Sequence, residues 1–247
     1  MKSHVGRVRQ VNEDFFACVD DLNGRVLAVV ADGMGGHQAG DIASRLAVER
    51  IVKELSHLEA GLDDEDARER LMDAVLRANK EVYEYSLEHP ECSGMGTTVV
   101  AALLSPASVI TAHIGDSRLY HFKEGALLVK TEDHSLVNEL VKSGQITQEE
   151  AAVHPHRNVI MRSLGTEPDV RIDLGHFPWS ADDIVLICSD GLSNKVSSKR
   201  MEEWLHKEVS LQDRVDGLIE EALAAGGEDN ITLVAVRNMP DASQKEG

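Results

Sequence analysis

The 247-residue sequence predicts an α+β fold: a four-layer sandwich of two antiparallel β-sheets flanked by pairs of α-helices, with a metal site at the sheet edge. Three observations predict it. Apolar runs of strand length follow one another through turns of a few residues, too short for helical crossovers, so the sheets are antiparallel. Amphipathic helical patterns come in two pairs, and each pair needs an apolar surface to cover. Acidic residues recur at the ends of the apolar runs, where an antiparallel sandwich can gather them at one edge.

Taken in order, residues 14–20 and 25–32 read as two strands joined at Asp21-Leu-Asn-Gly24, because Asn-Gly is a strong hairpin signal. Over 39–57 the period changes, with Ile42, Leu46, Ile51 and Leu55 on one helical face. A second helix opens at Asp63-Asp-Glu-Asp66, where acids suit the helix dipole, and runs to about residue 88 with Leu71, Val75, Ala78 and Val82 inward. His89-Pro90 ends it. A meander of strands follows at 97–105, 108–116, 118–123 and 126–131. Residues 135–165 are polar, with two short helical patterns and a capping box, Thr147-x-x-Glu150, and read as an inserted flap. Strands return at 170–177 and 183–189, helices at 197–208 and 211–224, and a last strand at 231–236. Residues 1–240 make one domain, and 241–247 read as a frayed polar tail.

Composition narrows the function. The chain is 42% hydrophobic and long enough for a sizeable core. Its formal charge of −18 disfavours nucleic-acid binding, which needs a basic face, and suits cation binding where the acids converge. Three cysteines are too few for a disulfide framework, and Cys188, inside an apolar run, reads as a core residue. No signal peptide, membrane span or lipidation motif is visible, so the expectation is a monomeric cytoplasmic protein without membrane contact.

The stretch Val26-Leu-Ala-Val-Val-Ala-Asp-Gly-Met-Gly-Gly36 delivers a carboxylate to the end of a doubly buried strand and then drops to glycine. A buried lone carboxylate is costly unless paired, hydrogen-bonded or metal-bound. Asp32 has company. Ile114-Gly-Asp116 and Cys188-Ser-Asp190-Gly repeat the pattern, and Gly226-Gly-Glu-Asp229-Asn precedes the last strand. A strand-end aspartate is ordinarily a turn former or helix cap. Four beside glycine or asparagine point instead to metal ligation, since gathered carboxylates repel and divalent cations resolve the conflict. Oxygen-only donors select Mg²⁺ or Mn²⁺ over zinc. Arg9, near Glu13 and Asp14, has the planar fork that suits phosphate oxygens.

The motifs Arg9-x-x-Asn-Glu-Asp14, Ala31-Asp-Gly-Met-Gly-Gly36, Gly115-Asp-Ser-Arg118, Ser189-Asp-Gly-Leu192 and Asp229-Asn-Ile-Thr232 occur in this order. Together they resemble the bacterial branch of the metal-dependent Ser/Thr protein phosphatases of type 2C, over residues 2–237. The resemblance implies hydrolysis of phosphoserine and phosphothreonine in proteins by a metal-activated water, opposing a Ser/Thr kinase that would itself be among the partners. It implies two core Mn²⁺ or Mg²⁺ ions and a third, weaker one. Asp32 would bridge the core pair, the Gly33 carbonyl and Glu13 (through water) would serve the second ion, and Asp190 and Asp229 would complete the first. Asp116, helped by Asp190, would hold the third. Arg9 would bind phosphate, with Asp14 and Asn230 supporting the ligands from behind.

Animal members carry a histidine, a proposed general acid, where this chain has Met34; His37 is the nearby substitute, though an exposed loop histidine is its plainer reading. A phosphate-binding Gly-rich loop is the rival for 32–40, but it lacks the Gly-Lys-Ser/Thr ending. An inactive phosphoprotein-binding regulator of the same fold is the alternative function, and loss of a ligand acid would mark it; all four aspartates and Arg9 are present. The flap is expected to border the cleft near Asp116 and contact protein substrates, His156 among its contact residues.

Overall fold

The computed structural model describes residues 1–35 and 39–239. Among them, one sheet takes the order β1 (Lys2–His4), β11 (Ile231–Arg237), β10 (Ile184–Cys188), β7 (Arg118–Lys123) and β8 (Ala126–Val129). The other runs β2 (Asp14–Val19), β3 (Val26–Met34), β5 (Val99–Leu104), β6 (Ser108–Ile114) and β9 (Asp173–Pro178), with β4 (Gly96–Thr97) on the end of β3. Every pairing is antiparallel.

The layers follow from strands that are apolar on both faces. Leu27, Val29 and Ala31 of β3 face α1 (Ala39–Leu55) and α2 (Asp64–Glu88), while Ala28 and Val30 face the other sheet, where Val185, Ile187 and Val234 meet them. The far side of that second sheet, with Leu186, Cys188 and Leu233, is covered by α6 (Ser198–Leu205) and α7 (Leu211–Ala224). Two helices, sheet, sheet and two helices are the four expected layers. Cys188 is fully buried and free, as its apolar run implied.

Local signals explain the joints. Asn23 and Gly24 both have positive φ and sit between reciprocal Leu22–Arg25 backbone hydrogen bonds, a two-residue hairpin turn. The Asp63 side chain caps α2 by accepting from the Glu65 and Asp66 amides, so the acidic cluster is a helix start. Thr147 and Glu150 form the capping box of α4 (Gln148–Ala152), which follows α3 (Leu136–Lys142) in the flap.

Three details depart from the sequence reading. Ile51 and Leu55 of α1 are buried, but Ile42 and Leu46 are only half-buried; the inward stripe runs through Ala43, Ser44, Ala47 and Val48. Small residues there let α1 lie close against both the sheet and α2. The strand β1 lacks a sequence signal, being three residues long and held by pairing with β11. The motif Asp190-Gly-Leu-Ser, to which the sequence reading gave no element, forms a one-turn helix, α5 (Asp190–Ser193).

Candidate metal centre

The acids gather at one end of the sandwich, on two links that pass between the sheets and at the ends of strands beside them. Residues 5–13 link β1 to β2 and carry Arg9 and Glu13. Gly115–Ser117 link β6 to β7 and carry Asp116. Asp32 lies near the end of β3, in direct register with Asp14 on β2. Asp190 opens α5 just beyond β10, and Asp229 precedes β11.

Asp32 is held by its backbone. Its N–H donates to Thr98 Oγ1 at 3.0 Å, and its carbonyl accepts from the Thr98 N–H at 2.8 Å and from Thr97 Oγ1 at 2.9 Å. Thr98 Oγ1 in turn meets Ser117 Oγ at 2.7 Å, which ties the Asp32 strand to the Asp116 crossing. Asp14 is buried; its Oδ2 accepts from Ser189 Oγ at 2.8 Å, while its Oδ1 has no hydrogen-bond partner. Asn230 is 3% exposed and fully used: Oδ1 accepts from the Glu13 N–H at 2.7 Å, and Nδ2 donates to the carbonyls of Val5 at 2.9 Å and Val11 at 3.0 Å. It thereby fastens both ends of the Arg9 loop beside Asp229.

Gly33 is required by close approach. A Cβ there would lie 2.0 Å from the Gly40 carbonyl oxygen and 2.7 Å from that of Glu13. Gly40 in turn leaves room for the Glu13 carboxylate, since a Cβ on it would stand 2.5 Å from Oε1.

The electrostatics are those of crowded anions. Burial, then the charges of Asp14, Asp190, Asp116 and Asp229, push Asp32 well above the carboxylate range. Burial and Asp229 push Asp190 up, burial with Asp190 and Asp133 pushes Asp116 up, and burial is the main cause for Asp14 and Glu13. Positive charge is scarce. Arg9 donates from Nη2 to Asp229 Oδ2 at 3.0 Å, with Nε an ion-pair contact 3.0 Å from Oδ1 and Glu13 at 3.7 Å. Arg118 is taken by Asp133.

This donor set fits hard divalent cations: oxygen atoms only, an orphaned buried Asp14 Oδ1, and a single guanidinium, Arg9, acting on Glu13, Asp32 and Asp229 together. As placed, no three acidic, histidine or cysteine side chains among the described residues enclose an ion. Two of these carboxylates are engaged by protein donors: Arg9 lies on Asp229, and Asn194 Nδ2 holds Asp190 Oδ2 at 3.0 Å.

A cleft of about 570 Å³ opens over these residues. Asp116, Asp190 and Asp229 line one side, and Val137, Asn138, Arg157 and Asn158 of the flap line the other. His156 is exposed and outside that lining. Met34 ends β3, and His37 lies outside the described residues. The sequence reading missed the hydroxyl supports Thr97, Thr98, Ser117 and Ser189 and the amide of Asn194. Ser117 and Ser189 stand inside the aspartate motifs and were legible by position; Thr97 and Thr98 carry no signal until β4 and β5 are docked on β3.

This fold is shared with solved bacterial serine/threonine phosphatases. The Streptococcus agalactiae serine/threonine phosphatase superposes with a TM-score of 0.90 at 37% identity, over 97% of this chain and 98% of that one. A structure of the catalytic domain of the serine/threonine protein phosphatase PstP in complex with two manganese ions superposes with a TM-score of 0.82 at 36% identity, over 95% and 94% of the two chains. In sequence, the serine/threonine phosphatase stp of Listeria monocytogenes is 40% identical over 240 residues, 97% of this chain and 94% of that protein. The profile of the family described as Protein phosphatase 2C matches residues 2–225, and the chain belongs to that family.

Proposed function

We propose that the chain hydrolyses phosphoserine and phosphothreonine in proteins, using Mn²⁺ or Mg²⁺ held by the clustered carboxylates. The observation that carries the reading is the convergence of Asp32, Asp116, Asp190 and Asp229 at one sheet edge with too little positive charge to neutralise them. Its relatives' names support the substrate class, and the manganese-bound relative supports the metal.

In this reading Asp32 would hold the two core ions, with Asp190 and Asp229 as further donors to one and the Gly33 carbonyl and Glu13 (through water) as donors to the other. Asp116 with Asp190 would hold a third, weaker ion. When bound, the cations would acidify a water and neutralise the carboxylates. The chain's own residues do the positioning. Arg9 leaves Asp229 to take two phosphate oxygens with its planar fork. Asp14 and Asn230 keep Asp32 and Glu13 in place from behind. The flap wall, through Arg157 and Asn158, contacts the polypeptide around the phosphoresidue; His156 lies at its outer margin.

Among the described residues no helix is long and apolar enough to cross a membrane. A monomer acting in the cytoplasm against the products of a Ser/Thr kinase completes the proposal. The test is dephosphorylation of a phosphothreonine peptide by protein stripped of metal with a chelator. Activity should vanish and return with Mn²⁺ or Mg²⁺, and D32N should stay inactive at any Mn²⁺ concentration. Full turnover by the stripped protein would refute it.

A further inference from the structure

The crossing that carries Asp116 is gripped on both sides by two consecutive residues at the root of the flap. Before Asp116, Gly115 spends both backbone groups on His134: its N–H donates to His134 Nδ1 at 3.1 Å, and its carbonyl accepts the His134 N–H at 2.8 Å. After Asp116, Arg118 spends its fork on Asp133, Nε to Oδ1 at 2.8 Å and Nη2 to Oδ2 at 2.6 Å. We infer that Asp133 and His134 are positioning residues for Asp116, His134 by fixing the backbone before it and Asp133 by keeping the Arg118 guanidinium off its carboxylate.

Each half has a physical reason. Gly115 has φ of +107°, and a Cβ on it would stand 2.5 Å from Thr98. Its unusual backbone therefore needs outside partners, and His134 supplies one for each polar group. The His134 ring has a defined tautomer. Nδ1 accepts, so Nε2 carries the hydrogen and donates to Asp173 Oδ2 at 3.1 Å, while Asp173 Oδ1 takes Arg162 Nη1 at 2.9 Å. The ring is buried and packs on His113, centroids 4.5 Å apart. The His134 carbonyl accepts the Met161 N–H at 2.7 Å, where the flap returns to the body. Arg118 sits two residues beyond Asp116, and its charge acts on that carboxylate. Released from Asp133, Arg118 has Asp116 as a nearby acid and would occupy the oxygen atoms an ion needs.

The inference rests on Asp116 being the ligand of the weaker ion, and the test separates the two. Mn²⁺ binding to the full chain is measured without substrate, from the EPR signal of free Mn²⁺, with thermal unfolding recorded alongside. D116A should abolish the weakest binding step. H134Q keeps an amide where Nε2 lies, towards Asp173, but loses the acceptor for Gly115; it should weaken that step about tenfold or more, as losses behind a metal ligand do, and leave the tighter steps unchanged. H134N keeps an oxygen where Nδ1 lies and should stay near wild type. D133N should weaken the same step by a similar factor. Loss of the weakest step in D116A with wild-type binding in H134Q and D133N would overturn the positioning role while leaving the ligand reading intact. Equal losses in H134N and H134Q would overturn it as well, by showing that the Gly115 acceptor is not what matters. An unchanged weakest step in D116A would remove the ligand reading and the inference together. Should H134Q fail to fold, D133N and H134N decide: unchanged binding in D133N overturns the inference.

Discussion

Asn230→Ala gives a direct measure of how the Arg9 loop is held. The side chain is 3% exposed and makes three hydrogen bonds, at 2.7, 2.9 and 3.0 Å, all to backbone groups of residues 5–13. A hydrogen bond of this kind contributes about 0.5–1.5 kcal/mol net, and a buried group left unpaired costs about 1–3 kcal/mol. Truncation removes all three bonds, though water entering from the cleft re-satisfies part of the loss. The expected destabilisation is about 2–4 kcal/mol, or a fall in Tm of roughly 5–12 °C for a chain of this size. Because Asn230 touches neither substrate nor metal in this reading, the loss should fall on loop geometry: a higher KM for phosphopeptide, a higher Mn²⁺ requirement, and faster amide exchange at Glu13. The assay is urea unfolding of metal-free protein, paired with kinetics over a Mn²⁺ series. A loss below about 1 kcal/mol, with Glu13 still protected, would show that the loop is held by Arg9 and the β1 pairing instead.

Other perturbations follow from the same packing. Gly33→Ala places a Cβ 2.0 Å from the Gly40 carbonyl, so strand and helix must part; the loss should be at least about 2 kcal/mol, with activity lost, and a variant with wild-type Tm would refute the contact. Arg9→Ala should raise KM for phosphopeptide about tenfold or more through loss of a charge-assisted contact, without raising the Mn²⁺ requirement, since it frees Asp229; a higher Mn²⁺ requirement would show Arg9 to be part of the metal scaffold. Asp64 is held down to about 2 by its bond to Ser108 and then by Arg25 and His176. A carboxylate with a depressed folded value stabilises above its unfolded value and loses that contribution as pH falls through the folded one. The stability gap between wild type and Asp64→Asn should therefore be present above pH ~4 and gone near pH 2, and a gap constant across that window would refute the assignment. The gap is worth ~1 kcal/mol, because the carboxylate is 38% exposed and screened.

The features readable before folding were local or periodic. The Asn23-Gly24 hairpin, the Asp63 cap, the Thr147–Glu150 box and the α2 stripe each depend on residues within a few positions of one another, so spacing alone reveals them. The four layers were legible because strands apolar on both faces and paired amphipathic helices leave few other ways to exclude water. The acids pointed to a site because four of them close or precede apolar strands beside glycine or asparagine, and gathered carboxylates repel unless a cation compensates them. The tertiary structure decided the rest. Strand β1 exists only because β11 offers it an edge. The α1 stripe shifted to alanine and serine because close helix packing selects small residues, which a reading of bulky residues passes over. Arg9 resting on Asp229, Thr98 holding Asp32, Asn230 bracing the Arg9 loop, and Asp133 with His134 gripping the Asp116 crossing join residues 15 to 225 positions apart. No local rule reports such pairs. They arise where strand ends and loops from distant parts of the chain meet at one end of the sandwich, and that meeting is set only when both sheets are packed.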